Sequence, residues 1–291
     1  MQADMECQLE ALAERYYAVG DGTRKASTYL REYEALLRQR RTAPLRLLEL
    51  GVSSGASVLI WRDYLPNATI VGLDLAAAPS SIRDQPRIHF IQGSQDDPEI
   101  LDRAGEIAGG RFDLIIDDAS HLGYLTKRSF QYLFPRWLVP GGVYAIEDYG
   151  TGFMPEYPDG AAFVEPPQGD SVPETQVFAS HQYGMVGVLK QLMDHLMTEL
   201  MTGQPPRYDI ERMTILSNIA LVQKAGGVPM QGAASVPAPG AGADRALDQV
   251  PLMAAEMRRQ GERIAALDSA MRELVEQLRR NAERSILPWR R

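Results

Sequence analysis

The strongest constraint on this chain is a series of five short apolar runs, most of them separated by stretches of helical period. Residues 45–50 read Leu-Arg-Leu-Leu-Glu-Leu and stop at Gly51; residues 69–74, 88–92, 112–117 and 143–147 have the same character. Runs of five or six apolar residues ending at glycine or an acid are what a strand buried on both faces requires. Between them, 56–64, 97–107 and 125–138 carry helical spacing. Alternating strands and helices imply right-handed crossovers and an α/β fold with a doubly wound, Rossmann-like sheet.

The flanks divide the rest of the chain. Residues 1–43 read as a helical segment packing on the core, with Leu30, Tyr33, Leu36 and Leu37 on one face and a break at 20–23. The core spans 44–224. Within it, 150–183 is rich in proline and loop-like, the profile of a lid, whereas 184–201 is helical and 213–222 is a strand pair or one bent strand. Residues 225–243 are a linker of Gly, Ala and Pro. Over 244–291 apolar residues from Val250 to Leu278 recur in threes and fours, except where Gln260 takes one seam position, the pattern of a coiled coil and of a homo-oligomer.

Charge and composition exclude several classes. A net charge of −8 argues against a nucleic-acid partner, which needs cations to replace released counter-ions. A lone cysteine, Cys7, forms no internal disulfide and no thiolate zinc site. No stretch approaches the roughly 20 apolar residues of a membrane span. No signal peptide is visible, so the expected location is cytoplasmic. The basic residues include only four lysines, Lys25, Lys127, Lys190 and Lys224.

Ligands of doubly wound sheets bind at the carboxyl ends of the strands. After the first strand comes Glu49-Leu50-Gly51-Val52-Ser53-Ser54-Gly55, an E-x-G-x-x-x-G loop lacking the second glycine of a dinucleotide site. Asp74 ends the second strand, where an acid can accept ribose hydroxyls; its alternative is a helix cap. Ser94 and Gln95 follow the third strand and could meet an adenine edge or simply form a turn. The fourth and fifth strands run into Asp117-Asp118-Ala119-Ser120-His121 and Glu147-Asp148. Four carboxylates at one sheet edge repel unless a cation is shared. Oxygen ligands suit Mg2+, with Mn2+ or Ca2+ as alternatives. His121, an imidazole three residues beyond Asp118, is a natural general base; His89 and His195 read as structural.

These stretches resemble class I S-adenosylmethionine-dependent methyltransferases. They are most similar to the metal-dependent macrolide-sugar O-methyltransferases of the mycinamicin and macrocin type. The resemblance rests on residues 47–52, 71–74, 92–97, 116–121 and 140–148. It implies that Glu49, Gly51, Gly55, Asp74, Ser94, Gln95 and Asp117 serve S-adenosylmethionine. It also implies that Asp118, Glu147 and Asp148 hold Mg2+, and that His121 takes the proton of a sugar hydroxyl on a glycan, glycoside or antibiotic. Catechol methyltransferases similarly place their base three residues beyond the metal-binding aspartate, which favours Asp118 over Asp117 as ligand. The coiled-coil tail is outside the family's common core. Two other functions compete: a cofactor-binding scaffold organising glycan-modifying enzymes through its coil, and a nicotinamide-dependent oxidoreductase. The missing second glycine disfavours the oxidoreductase.

Overall fold

The structure, a computed structural model, describes residues 7–17, 25–162 and 183–226. The expected coiled coil, nearly all of the linker and residues 163–182 of the expected lid, with His181, lie outside the described residues. The main body begins with two helices, α1 (Gln8–Tyr17) and α2 (Ser27–Leu37). There follow β1 (Arg46–Leu50), α3 (Ala56–Tyr64), β2 (Thr69–Asp74), β3 (Ile88–Gln92), α4 (Pro98–Ala108), β4 (Phe112–Asp117), α5 (Gly123–Trp137) and β5 (Leu138–Glu147). A short α6 (Pro158–Ala162), then α7 (Gly184–Leu196), precede the hairpin of β6 (Ile210–Leu216) and β7 (Ile219–Lys224). A further one-turn helix, α8 (Thr198–Thr202), belongs to a separate compact unit.

The sheet has seven strands in the order β3-β2-β1-β4-β5-β7-β6. The first five are parallel, and β7 runs antiparallel to β5. The strand pair expected near the end is therefore a hairpin on the sheet edge. Chain order reverses between β1 and β4, so the crevice for a ligand opens above their carboxyl ends.

Strand residues alternate between two cores because successive side chains point to opposite faces. Leu47, Ile70, Leu114, Ile116, Val143 and Ala145 join one apolar cluster with residues of α1, α2 and α3. Leu48, Leu50, Val71, Leu73, Ile115 and Ile146 join the other, with residues of α4, α5 and α7. Trp61, fully buried, meets Tyr33 edge to face at 5.1 Å and fastens α2 to α3. Truncating such an aromatic to alanine costs about 3–5 kcal/mol.

Local sequence sets the boundaries. Asp97 caps α4 by accepting from the Glu99 amide at 3.0 Å, Pro98 opens the helix, and Gly109 closes it at φ 71°. At the far end of β7, buried Lys224 donates to the carbonyls of Phe134, Pro135 and Leu138 at 2.9, 2.9 and 3.0 Å. Those acceptors lie where α5 gives way to β5 and where Pro135 interrupts the helical hydrogen bonding.

Candidate active site

A cavity of about 490 Å³ opens at the switch point, a size ordinary for a cofactor or small-molecule site. One end is formed by the loop after β1. Gly51 sits at φ 86°, and a Cβ there would collide with the backbone carbonyl of Asp118. Its amide donates to Leu73 O at 2.8 Å, and the Asp118 amide donates to Leu50 O at 2.9 Å. Only glycine lets the β1 and β4 turns approach so closely. Gly55, also at φ 86°, backs onto Ser81 and Ile82.

Asp74 braces this loop. One carboxylate oxygen accepts from the amides of Val52 and Ser53 at 2.8 and 3.0 Å, and the other from Ala76 at 2.8 Å. Burial opposes its charge, but these backbone donors prevail and hold its pKa below the usual value. Asp74 still lines the cavity, with acceptor capacity left on its two oxygens. Glu49, Gly55, Ser94, Gln95 and Asp117, expected beside a cofactor, are not in that lining. Ser94 donates to Asp96 at 2.6 Å. Asp117 accepts from Gln95 and Tyr144, each at 3.1 Å, on the opposite face of the sheet. The reason is the strand period, which carries Asp117 with Ile115 toward α5, away from the crevice.

The other end of the cavity is acidic. Glu49, Asp118 and Glu147 converge beneath Lys25, which lies two residues ahead of α2, and beside Tyr29 and Tyr33, which α2 presents one turn apart. Lys25 Nζ lies 2.7 Å from Asp118, 2.9 Å from Glu147 and 3.2 Å from Glu49. Tyr33 donates to Glu147 at 2.6 Å, and Tyr29 donates to Asp148 at 2.7 Å. From the β6–β7 turn, Asn218 also donates to Asp148 at 2.7 Å. None of the residues contributed by α2 and this turn was foreseen as part of the site. The one available signal was a rare lysine spaced by fours with two tyrosines.

Burial raises the pKa of Glu49 and of Glu147, with Lys25 opposing the rise in both. Burial also works against the Lys25 charge, but Asp118, Glu147 and Glu49 together hold its pKa well above the ordinary lysine value. One ammonium does not neutralise three carboxylates. The Glu49 Oε1 atom is buried without a hydrogen bond, despite its proximity to Lys25. The clustered carboxylate oxygens fit a hard divalent cation.

Ligand atoms of Asp118, His121 and Asp148 lie within 4.8 Å of one another. Asp118 and Asp148 of the expected trio belong to this group, and Glu147 lines the same cavity in contact with Lys25 and Tyr33. His121 and Asp148 have left-handed backbones, at φ 53° and 54°, conformations that non-glycine residues adopt at some energetic cost and that cluster at functional sites. His121 Nδ1 is buried without a partner among the described residues. The ring meets Tyr157 edge-on at 6.0 Å. Tyr157 comes from the described part of the expected lid, which is tied down where buried Asp159 accepts from the Gly123 amide at 2.7 Å. Tyr149 faces away, donating to Leu216 O at 2.6 Å. His89 is on the exposed face of edge strand β3, and His195 packs on Tyr208 at 4.9 Å, so both stand apart from the site.

No protein-family model matches the chain. It is 32% identical over 238 residues to mycinamicin VI 2''-O-methyltransferase of Micromonospora griseorubida, a match covering 76% of this chain and 54% of that protein. Over 181 residues it is 36% identical to 8-demethyl-8-(2-methoxy-alpha-L-rhamnosyl)-tetracenomycin-C 3'-O-methyltransferase of Streptomyces olivaceus, covering 60% and 42%. The homologues of this chain are macrolide and polyketide sugar O-methyltransferases. Among solved structures, MycE, a methyltransferase from the mycinamycin biosynthetic pathway in complex with Mg, SAH and mycinamycin VI, superposes with a TM-score of 0.58 at 30% identity, covering 76% of this chain and 56% of that one. The chain spans about half the length of the curated relatives it matches. Among the described residues, no helix is long and apolar enough to cross a membrane.

Proposed function

We propose that this chain is an S-adenosylmethionine-dependent, Mg-assisted O-methyltransferase that acts on a sugar hydroxyl of a glycan, glycoside or antibiotic. The observation that carries the reading is the single cavity in which the glycine loop and Asp74 stand at one end and Asp118, Asp148 and His121 at the other. Similarity to the sugar O-methyltransferases, one solved with Mg and SAH, supports the same assignment.

When bound, the cofactor supplies an electrophilic methyl group, and a divalent cation supplies Lewis acidity toward the acceptor oxygen. The chain's own part follows from its side chains. Gly51 lets the β1 loop close against the β4 turn and so shapes the cofactor end of the cavity, and Asp74 offers acceptor oxygens to hydroxyls at its rim. Asp118 and Asp148, with Glu147 behind them, would hold the cation. His121, open to the cavity, receives the acceptor's proton on a ring nitrogen. Tyr157 braces the imidazole and presents an aromatic surface beside it, suited to packing against a sugar ring. The acceptor itself, and self-association through residues 244–291, remain proposals resting on the sequence pattern.

The test is transfer of isotopically labelled methyl from S-adenosylmethionine to a panel of glycosides, with and without chelator. Transfer that requires a divalent cation is expected. Cofactor binding without transfer to any glycoside would favour a scaffold, and transfer untouched by chelation would remove the metal from the mechanism.

A further inference from the structure

Lys25 is, among the described residues, the one cation within contact distance of three strand-end carboxylates, and its side chain is only 5% exposed. It contacts Asp118 and Glu147, two of the three acids expected to hold a divalent cation. The ammonium donates to both Glu147 oxygens, and Glu147 is not among the residues, Asp118, His121 and Asp148, whose ligand atoms lie within 4.8 Å of one another. A divalent cation drawing in Asp118, Glu147 and Asp148 needs its oxygens at about 2.0–2.6 Å. The ammonium, already donating to one Asp118 oxygen and to both Glu147 oxygens, competes with a cation for them by charge as well as by space.

The neighbouring tyrosines are placed differently. Tyr29 and Tyr33 are buried members of α2, and each donates a neutral hydrogen bond that a metal-bound carboxylate can keep accepting. Lys25 precedes Ser27, the first helical residue, and Ala26 has an extended backbone at φ −60°, ψ 143°. Its long side chain can therefore leave without unwinding α2.

We propose that Lys25 is an exchangeable counter-ion, which occupies the carboxylate cluster when no metal is bound and is displaced by the incoming divalent cation. This rests on the metal-assisted reading above and adds a residue toward it. The cation then binds more weakly than its ligands alone would allow, because part of its affinity is spent on displacing Lys25. Lys25 also keeps the metal-free acids from repelling one another.

Two measurements on the full-length protein test this, with Mn2+ as the probe. In the first, Mn2+ is titrated by electron paramagnetic resonance into the wild type and Lys25→Met, without cofactor or acceptor. The variant is expected to bind roughly tenfold more tightly, or better. In the second, lysine acetylation of the wild type is read by mass spectrometry with chelator and with Mn2+. Reaction at Lys25 is expected to rise several-fold with Mn2+, while the half-buried Lys127 and Lys190 serve as internal references. The second measurement needs no variant to fold. If Mn2+ binds and Lys25 stays protected, the metal sits outside it on Asp118, His121 and Asp148, and the displacement idea fails while metal assistance stands. Equal or weaker binding by Lys25→Met overturns it as well. If neither protein takes up Mn2+, this proposal and the metal-assisted reading fall together.

Discussion

Asp117 and Asp118 are consecutive in the chain and lie on opposite faces of one sheet. Asp117 is fully enclosed by neutral donors, Gln95 and Tyr144, and burial pushes its pKa up to about 6. Asp118 faces the crevice and is paired with a lysine ammonium shared with two other acids. The first arrangement satisfies a carboxyl group without any cation and leaves nothing for a ligand to do. The second leaves more negative charge than its one ammonium offsets. Two identical side chains thus separate into a fixture and a site, and the face of the strand decides which is which.

Exchanging the two aspartates for asparagine should break that symmetry most sharply. Asp118→Asn is expected to lower methyl transfer by about 10³-fold or more, since it removes a ligand oxygen's charge and a partner of Lys25. Asp117→Asn should stay within about tenfold of the wild type, because its effect on the crevice is only transmitted through packing. Steady-state rates on both variants decide it, and equal losses would erase the distinction between the two faces.

His121→Ala should cost roughly 10²–10⁴-fold in turnover while S-adenosylhomocysteine binding, followed by calorimetry, persists. Undiminished turnover would remove His121 as the base and leave it as a metal ligand or a structural residue.

The stability of the two sides should also differ with pH. The folded pKa of Asp117 is raised above its unfolded value, so the native state holds a proton that the unfolded chain has already lost. That contribution is complete below about pH 4 and is lost as pH rises toward 6, on the order of 3 kcal/mol in total. Asp117→Asn should therefore flatten the wild-type decline between about pH 4 and pH 6 in denaturant unfolding. An unchanged slope would mean that Gln95 and Tyr144 hold the ionised form instead.

The smallest effect belongs to the brace. Tyr29→Phe removes one donor to Asp148 and leaves Asn218 in place. Divalent-cation affinity should fall by about 10-fold, the low end for an outer hydrogen-bond partner, with little change in melting temperature. A large loss of stability with unaltered metal affinity would make Tyr29 a structural residue.

Much of this was legible in the order of residues. Four of the five apolar runs became strands with the same or nearly the same ends, because a strand covered by helices on both faces must be apolar throughout. The run at 143–147 proved to be the end of a longer strand, Leu138–Glu147, since Pro140, Gly141 and Gly142 conceal its beginning. The acids at the strand ends were legible for the same reason, being polar residues where apolar runs stop. Period two could even have assigned Glu49 and Glu147 to the α2 face and Asp117 to the other.

What sequence alone could not settle is which distant groups would meet those acids. Lys25 lies 93 residues from Asp118 and 122 from Glu147, and Asn218 lies 70 from Asp148. Sequence period describes one element at a time, whereas these contacts depend on how α2 and the β6–β7 hairpin lie against the sheet. By itself, the order of residues determined an α/β sheet with an acidic edge and a glycine turn at its switch point. Tertiary packing alone decided that one carboxylate would be enclosed by neutral donors, while its neighbour would share an ammonium at the mouth of a cavity, because burial and partner charge are properties of the assembled faces.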